Sequence, residues 1–240
     1  MLILFFFLSF IILLSTIGYG LIITKLLKLE KFNYNYGLVG ILGLFNLSII
    51  SSYTHLFISH NYIHNLAILL LGILSLFLIN KEKLKEFKNI FCIFSLLFIF
   101  IIIAKTNEDF GYYHLPNSIQ FAQQKLQFGL GNLSHGFKHI SSLFMLMSLL
   151  YLPIIEFYLF NLTNFLFYTF FIAFILKEIF LRNIVNLNLS NLILSLILIL
   201  FLTKFSRLAE FGADISGQII ISLYFFYFLE FFYNRKINFN

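Results

Sequence analysis

MLILFFFLSFIILLSTIGYGLIIT, residues 1–24, decides the class of fold. From Leu2 to Thr24 it carries no charge. About 20 apolar residues, rising about 1.5 Å each in a helix, cross a hydrocarbon layer about 30 Å thick. Similar runs recur to the end of the chain. The residues are 60% hydrophobic and only 11% charged, with a mean hydropathy of +0.95, where a soluble domain carries roughly 25% charged residues. The expected fold class is therefore all-α, a polytopic integral membrane protein. Seven candidate spans emerge, near Leu2–Thr24, Tyr36–Ile58, His64–Asn80, Ile90–Ala104, Pro153–Leu176, Ile184–Thr203 and Ser216–Phe232. Each run is continuously apolar, which excludes the alternating segments of a membrane barrel. The expected organisation is a single transmembrane domain over 1–240, with four spans in 1–104, a long loop over 105–152 and three spans in 153–240.

Charge gives the orientation. The net charge is +6, but the cations lie in short connections, which argues for topology signals and against a nucleic-acid groove. With connections assigned alternately to two sides, eleven Lys and Arg fall on one side (Lys25, Lys28, Lys31, Lys81, Lys83, Lys85, Lys88, Lys177, Arg182, Arg235, Lys236). Five fall on the other: Lys105, Lys125, Lys138, Lys204 and Arg207. The positive-inside rule places the first set in the cytoplasm, so the N-terminus and the long loop are expected outside and the C-terminus inside, in a bacterial inner (plasma) membrane. No positive segment precedes the first apolar run, which reads as an uncleaved anchor. All six histidines (His55, His60, His64, His114, His135, His139) fall on or near the outer face. The single cysteine, Cys92, lies in an apolar run and excludes a disulfide framework.

The outer loop opens with KTNEDFGYYHLPNSIQ, Lys105–Gln120. Pro116 suits a first helical turn. Leu115, Ile119, Ala122 and Leu126 then form one stripe, with Gln120, Gln123, Gln124 and Gln127 opposite. That pattern predicts an amphipathic helix at the membrane surface, stopped by Gly129 and Gly131. A second segment, His139–Leu152, is expected to lie flat, dip into the interface or extend the fifth span. Glu156 is expected inside that span, near its outer end, where an ionisable residue is a functional candidate. His60 and His64, and likewise His135 and His139, are spaced four apart, so each pair can share a helix face and hold an ion; interface histidines without metal are the plainer reading.

The acidic pair just outside an apolar helix, with an aromatic and surface helices after it, resembles the first large outer loop of the GT-C glycosyltransferases. An uncharacterised bacterial membrane-protein group with a GT-C-like character is more similar still. Its pattern Asp-x-x-x-Tyr-His, Gly-Leu-x-Asn-Leu, Ser-Ser-x-Phe matches Asp109–His114, Gly129–Leu133 and Ser141–Phe144, and a later Asp before small residues matches Asp214 in AEFGADISG. The resemblance implies a polyprenyl-phosphate-linked sugar as donor and a cell-envelope acceptor on the extracytoplasmic face. It implies Asp109 as the base that takes the acceptor proton, with Glu108 as second acid or metal-side ligand. It places Tyr113, His114, Asn132 and Asp214 on substrate, and Arg207 with Lys204 on the lipid-linked phosphate, although rim cations that merely snorkel or pair with Glu210 and Asp214 fit the same residues. No cofactor is demanded; a divalent metal ion is the one these acids could hold. Membrane lipid, and a membrane protein partner, are the further associations expected. Four helices stand before the loop and three after it, where GT-C enzymes place the loop after the first helix; a truncated member of a larger protein is expected from that departure. The competing expectation is a non-catalytic subunit, or a transporter or export component for surface polysaccharide.

Overall fold

The computed structural model describes residues 1–29, 35–79, 84–103, 109–181, 189–208 and 210–237. Among these the chain is helical, with one isolated antiparallel bridge between Leu152 and Glu156. The helices are α1 (Leu2–Leu26), α2 (Tyr36–His55), α3 (Tyr62–Ile79), α4 (Leu84–Ile101), α5 (Leu115–Gln123), α6 (Ser142–Ser148), α7 (Leu162–Leu181), α8 (Leu189–Thr203) and α9 (Asp214–Ile237). Five segments are long and apolar enough to cross a membrane: α1, α2, α3, Phe157–Leu181 and Asp214–Phe232. Two shorter apolar helices, Phe87–Ile101 and Leu189–Thr203, run beside them.

The packing is compatible with lipid surroundings. Ile3, Phe7, Ile63, Phe77 and Leu78 point outward, while α1 buries Ser9, Ser15, Thr16, Gly18, Gly20 and Thr24. Apolar side chains gain nothing by leaving lipid for protein, so small and hydroxyl residues make the close contacts. Gly18 of α1 lies against the backbone of Gly72 on α3, where even a methyl group would strike the Gly72 carbonyl. The Ser15 hydroxyl donates to Leu69 O at 2.9 Å and the Tyr19 hydroxyl to Ile68 O at 2.8 Å, pinning the same pair of helices. α7 is the axis of the bundle, with 16 of its 20 residues buried. It packs on α2, α4, α6, α8 and α9. At one end of the bundle, Asn35 caps α2 through Gly37 N (3.1 Å) and gives its amide to Glu178 of α7 (3.0 Å). The other end holds α5, α6 and the candidate site.

The structure corrects four expectations there. The fifth span does not begin at Pro153. The chain turns back on itself between Leu152 and Glu156, with Glu156 N donating to Leu152 O at 2.8 Å, and α7 proper starts at Leu162. Ile154 and Glu156 sit at φ +75° and +52° in this turn, conformations that side chains avoid in a helix. Glu156 is therefore a turn residue, accepting the Tyr62 hydroxyl at 3.0 Å, and not a residue within a span. α5 buries Asn117, Ser118, Phe121 and Ala122, so its inward face mixes polar and apolar side chains, and Leu115 and Ile119 are only half-buried. It stops at Gln123, before the glycines; Gly129, at φ +82°, instead opens the turn Leu130–Asn132. α6 dips into the bundle, packed on α2 and α5. The beginning of the sixth span at Ile184 lies outside the described residues.

His60 precedes α3 rather than sharing a helix face with His64, and their rings stack at 5.0 Å and 8°. Both His60 nitrogens are engaged, Nδ1 by Ser148 Oγ at 2.5 Å and Nε2 by Thr54 Oγ1 at 3.2 Å. Asn65 closes the knot through the carbonyls of His60, Ser148 and Tyr151. Burial first, then the neighbouring His64 and His55, pushes His60 from 6.5 down to about 3. Below its unfolded value, the unfolded chain takes a proton that the folded one refuses. Stability is expected to fall as pH drops through that window, by up to about 1.4 kcal/mol per pH unit. Thermal unfolding in detergent between about pH 7 and about pH 4 checks this: His60→Gln should flatten the slope, and an unchanged slope contradicts it.

Candidate functional site

The site grows from DFGYYHLPNS, Asp109–Ser118. Pro116 has no N–H for the Tyr112 carbonyl one turn back, and its ring crowds that carbonyl. The chain there takes the wider π-helical turn Phe110–His114, which runs straight into α5. Such turns re-aim side chains and are frequent at functional sites. Gly136 passes against the Tyr112 carbonyl and the Tyr113 side chain, at a place where a Cβ would collide with the first and crowd the second. Asn117 holds that glycine, donating to Gly136 O at 3.3 Å.

Two loops far apart in sequence are clamped together at this turn. The Phe110 and Phe211 rings meet edge to face at 4.5 Å. Behind them Asn164, near the start of α7 and buried, donates to both Glu210 O and Gly212 O at 2.8 Å. Gly212, at φ +132°, packs against the His114 ring; a Cβ there would come within 3.1 Å of His114 Cε1. Asp214 follows as the first residue of α9, where the helix dipole favours a carboxylate.

The outcome is a half-open cluster of Asp109, Tyr113, His114 and Asp214. The Tyr113 hydroxyl donates to Asp109 Oδ2 at 3.2 Å. The Tyr113 ring contacts His114 at 4.3 Å and His139 at 5.0 Å. Burial pushes the His114 imidazole below its ordinary value, and the charges of Asp109 and Asp214 pull the other way without cancelling this. The ring is thus neutral at pH 7. Burial, then Asp109 and Asp214, holds the Tyr113 phenol above its ordinary value. Asp109 accepts from Tyr113, and Asp214 stands two residues beyond Gly212, which touches His114, so the clamp brings both carboxylates to the neighbourhood of these two rings. Two exposed acids beside a neutral imidazole and a phenol can take a proton from a bound hydroxyl and donate hydrogen bonds to a leaving oxygen.

Of the residues expected at a site, Asp109, Tyr113, His114 and Asp214 come together. Arg207 stands on the same loop, its Nε 3.7 Å from Glu210 Oε2, and Lys204 donates to Gln218 Oε1 at 2.6 Å. Asn132 is exposed in the turn Leu130–Asn132, and among the described contacts none joins it to either aspartate. Glu108 lies outside the described residues. His135 and His139 flank a short 3-10 turn with rings 5.1 Å apart, and His139 joins the cluster through Tyr113. Among the described residues no group of three or more His, Cys, Asp or Glu is arranged to hold a metal ion. Sequence reasoning missed Asn164, Gly212 and the Phe110–Phe211 clamp. An asparagine inside an apolar helix was the one signal available.

Asn164→Ala removes both donors to the 210–212 stretch and leaves two buried carbonyls unpaired, at a cost of about 1–3 kcal/mol. Faster amide exchange confined to that stretch and the start of α9 is the expected result. Unchanged exchange would show that other contacts hold the loop.

Helices of spanning length, with a carboxylate–imidazole–phenol cluster at one end, define a membrane-type helical protein with a polar site at its rim. The whole chain, residues 1–240, matches the family described as a domain of unknown function (DUF8201), and it belongs to that family. No curated protein and no solved structure matches the chain.

Proposed function

We propose that the protein is a GT-C-like glycosyltransferase of the bacterial plasma membrane, moving a sugar from a polyprenyl-phosphate donor to a cell-envelope acceptor on the extracytoplasmic face. On this reading seven helices cross the membrane, with Met1 and the aspartate cluster outside and the C-terminus in the cytoplasm, as the distribution of Lys and Arg favours. The observation that carries the reading is the clamp between the turn that begins at Asp109 and the loop that leads to Asp214, two stretches about a hundred residues apart.

Asp109 takes the proton of the acceptor hydroxyl as its oxygen attacks the anomeric carbon. The bond from that carbon to the phosphate oxygen breaks, and polyprenyl phosphate leaves with the electron pair. His114, uncharged, and Arg207, shared with Glu210, supply donors for that phosphate, and Asp214 orients the sugar hydroxyls. The test is reconstitution in liposomes with a radiolabelled polyprenyl-phosphate hexose and isolated envelope lipids and glycans. Label should pass to an acceptor as polyprenyl phosphate is released. Solute flux with no turnover of any such donor would overturn the reading in favour of a transporter.

A further inference from the structure

Beyond the aspartate cluster, the same outer segment holds a cavity of about 270 Å³, lying between α5, the last residue of α2 and the stretch Lys125–Gly131. Its size is just below the range of about 300–1,000 Å³ typical of drug-sized ligands, and so suits one ring rather than an extended chain. The walls alternate two kinds of chemistry. Phe121 and Phe137 contribute aromatic rings, with the exposed Phe128 at the rim; Asn117, Gln120 and Gln127 contribute amides.

The decisive residue is His55. It lines the cavity, is 1% exposed, and its Nδ1 has no hydrogen-bond partner in the protein. Buried polar atoms are nearly always paired, so an unpaired one beside a cavity marks a place for a ligand atom. The amides are similarly available. Asn117 gives its nitrogen to Gly136 O, leaving the amide oxygen for a ligand. Gln120 and Gln127 meet at 3.3 Å on the exposed side, a bond across the mouth that a ligand can replace.

We infer that this cavity binds a single sugar ring. Imidazole and carboxamide each combine donor and acceptor, as every sugar hydroxyl does, and aromatic walls match the C–H faces of a pyranose. No carboxylate lines the cavity among the described residues, and its one cation, Lys125, is exposed, which is poor equipment for an isolated phosphate. A lipid tail would leave the amides and the imidazole unpaired. His114 and Phe121 are seven residues apart on the buried side of α5, so the cavity begins roughly 10 Å along the helix from the aspartates. The ring is the end of the acceptor glycan; this assignment, unlike binding itself, rests on the transferase reading.

The experiment is saturation-transfer NMR on the purified full chain in detergent, with no donor present. The probes are the methyl pyranosides of glucose, galactose, mannose, N-acetylglucosamine and glucuronic acid. At least one pyranoside should bind, and His55→Phe and Gln120→Ala should each weaken it about tenfold or more, equivalent to about 1.4 kcal/mol. Gln120 is half-exposed, so its variant remains informative should His55→Phe fail to fold. No binding by any pyranoside, binding unchanged in Gln120→Ala, or displacement by inorganic phosphate at equal concentration would overturn the proposal. Sugar binding without any transfer from a polyprenyl-phosphate donor would keep the cavity and sink only its acceptor role.

Discussion

Asp109→Asn is expected to lower glycosyl transfer by about 10²–10⁴-fold, while the protein still inserts and is recovered in normal yield. The side chain is exposed, and asparagine is nearly the same shape. The Tyr113 hydroxyl, now 3.2 Å from Asp109 Oδ2, would keep an amide oxygen to donate to. Surface changes of this kind usually alter stability by less than about 0.5 kcal/mol. What the amide cannot do is accept the acceptor proton. The loss should therefore fall on the rate of transfer far more than on donor binding, which rests on other groups. Full transfer by this variant at normal expression would remove Asp109 from the base role.

The second large effect concerns the bundle. Gly18→Ala is expected to cost about 3 kcal/mol, the upper end for overpacking, because the new methyl meets the Gly72 backbone and not a side chain that can swing away. α1 and α3 would have to part, stretching the Ser15–Leu69 and Tyr19–Ile68 hydrogen bonds that hold them. Gly217→Ala is the matched control: a Cβ there has open space, and α9 should gain up to about 1 kcal/mol of helix propensity. The same chemical change is thus predicted to shift thermal unfolding in opposite directions at two positions. Two shifts of the same sign would contradict the packing described for α1 and α3.

Much of the helical framework was legible. The Leu2–Thr24 window became Leu2–Leu26, and Tyr36 opens α2 where the sequence placed it. Length and composition suffice for such runs, because in lipid the backbone must satisfy itself within the helix. Errors gathered where apolar residues do not mark the interior. The stripe Leu115, Ile119, Ala122 and Leu126 predicts the apolar face of a surface helix, but of these only Ala122 is buried, and α5 turns Asn117, Ser118 and Phe121 into the bundle beside it. Pro153 lies in an apolar run that turns sharply instead of continuing as helix, and periodicity carries no sign of the Leu152–Glu156 turn.

The acids were visible as loop residues, and the similarity of AEFGADISG to a known pattern singled out Asp214. Their meeting was not deducible, since it depends on the Phe110–Phe211 contact and on Asn164 holding the carbonyls of Glu210 and Gly212. His55 gave no sign of a cavity either. The chain that closes over it, Lys125–Gly131, was read instead as the end of a helix.

The central claim is that Asp109 and Asp214 serve one reaction in one space. A double-mutant cycle on transfer from a polyprenyl-phosphate hexose tests it most directly, comparing Asp109→Asn, Asp214→Asn and the double variant in liposomes. Groups that act as a unit are strongly non-additive, so the double variant should be little slower than the worse single one. Losses that multiply across the cycle, or full transfer by either single variant, would mean that the two aspartates do not share a site.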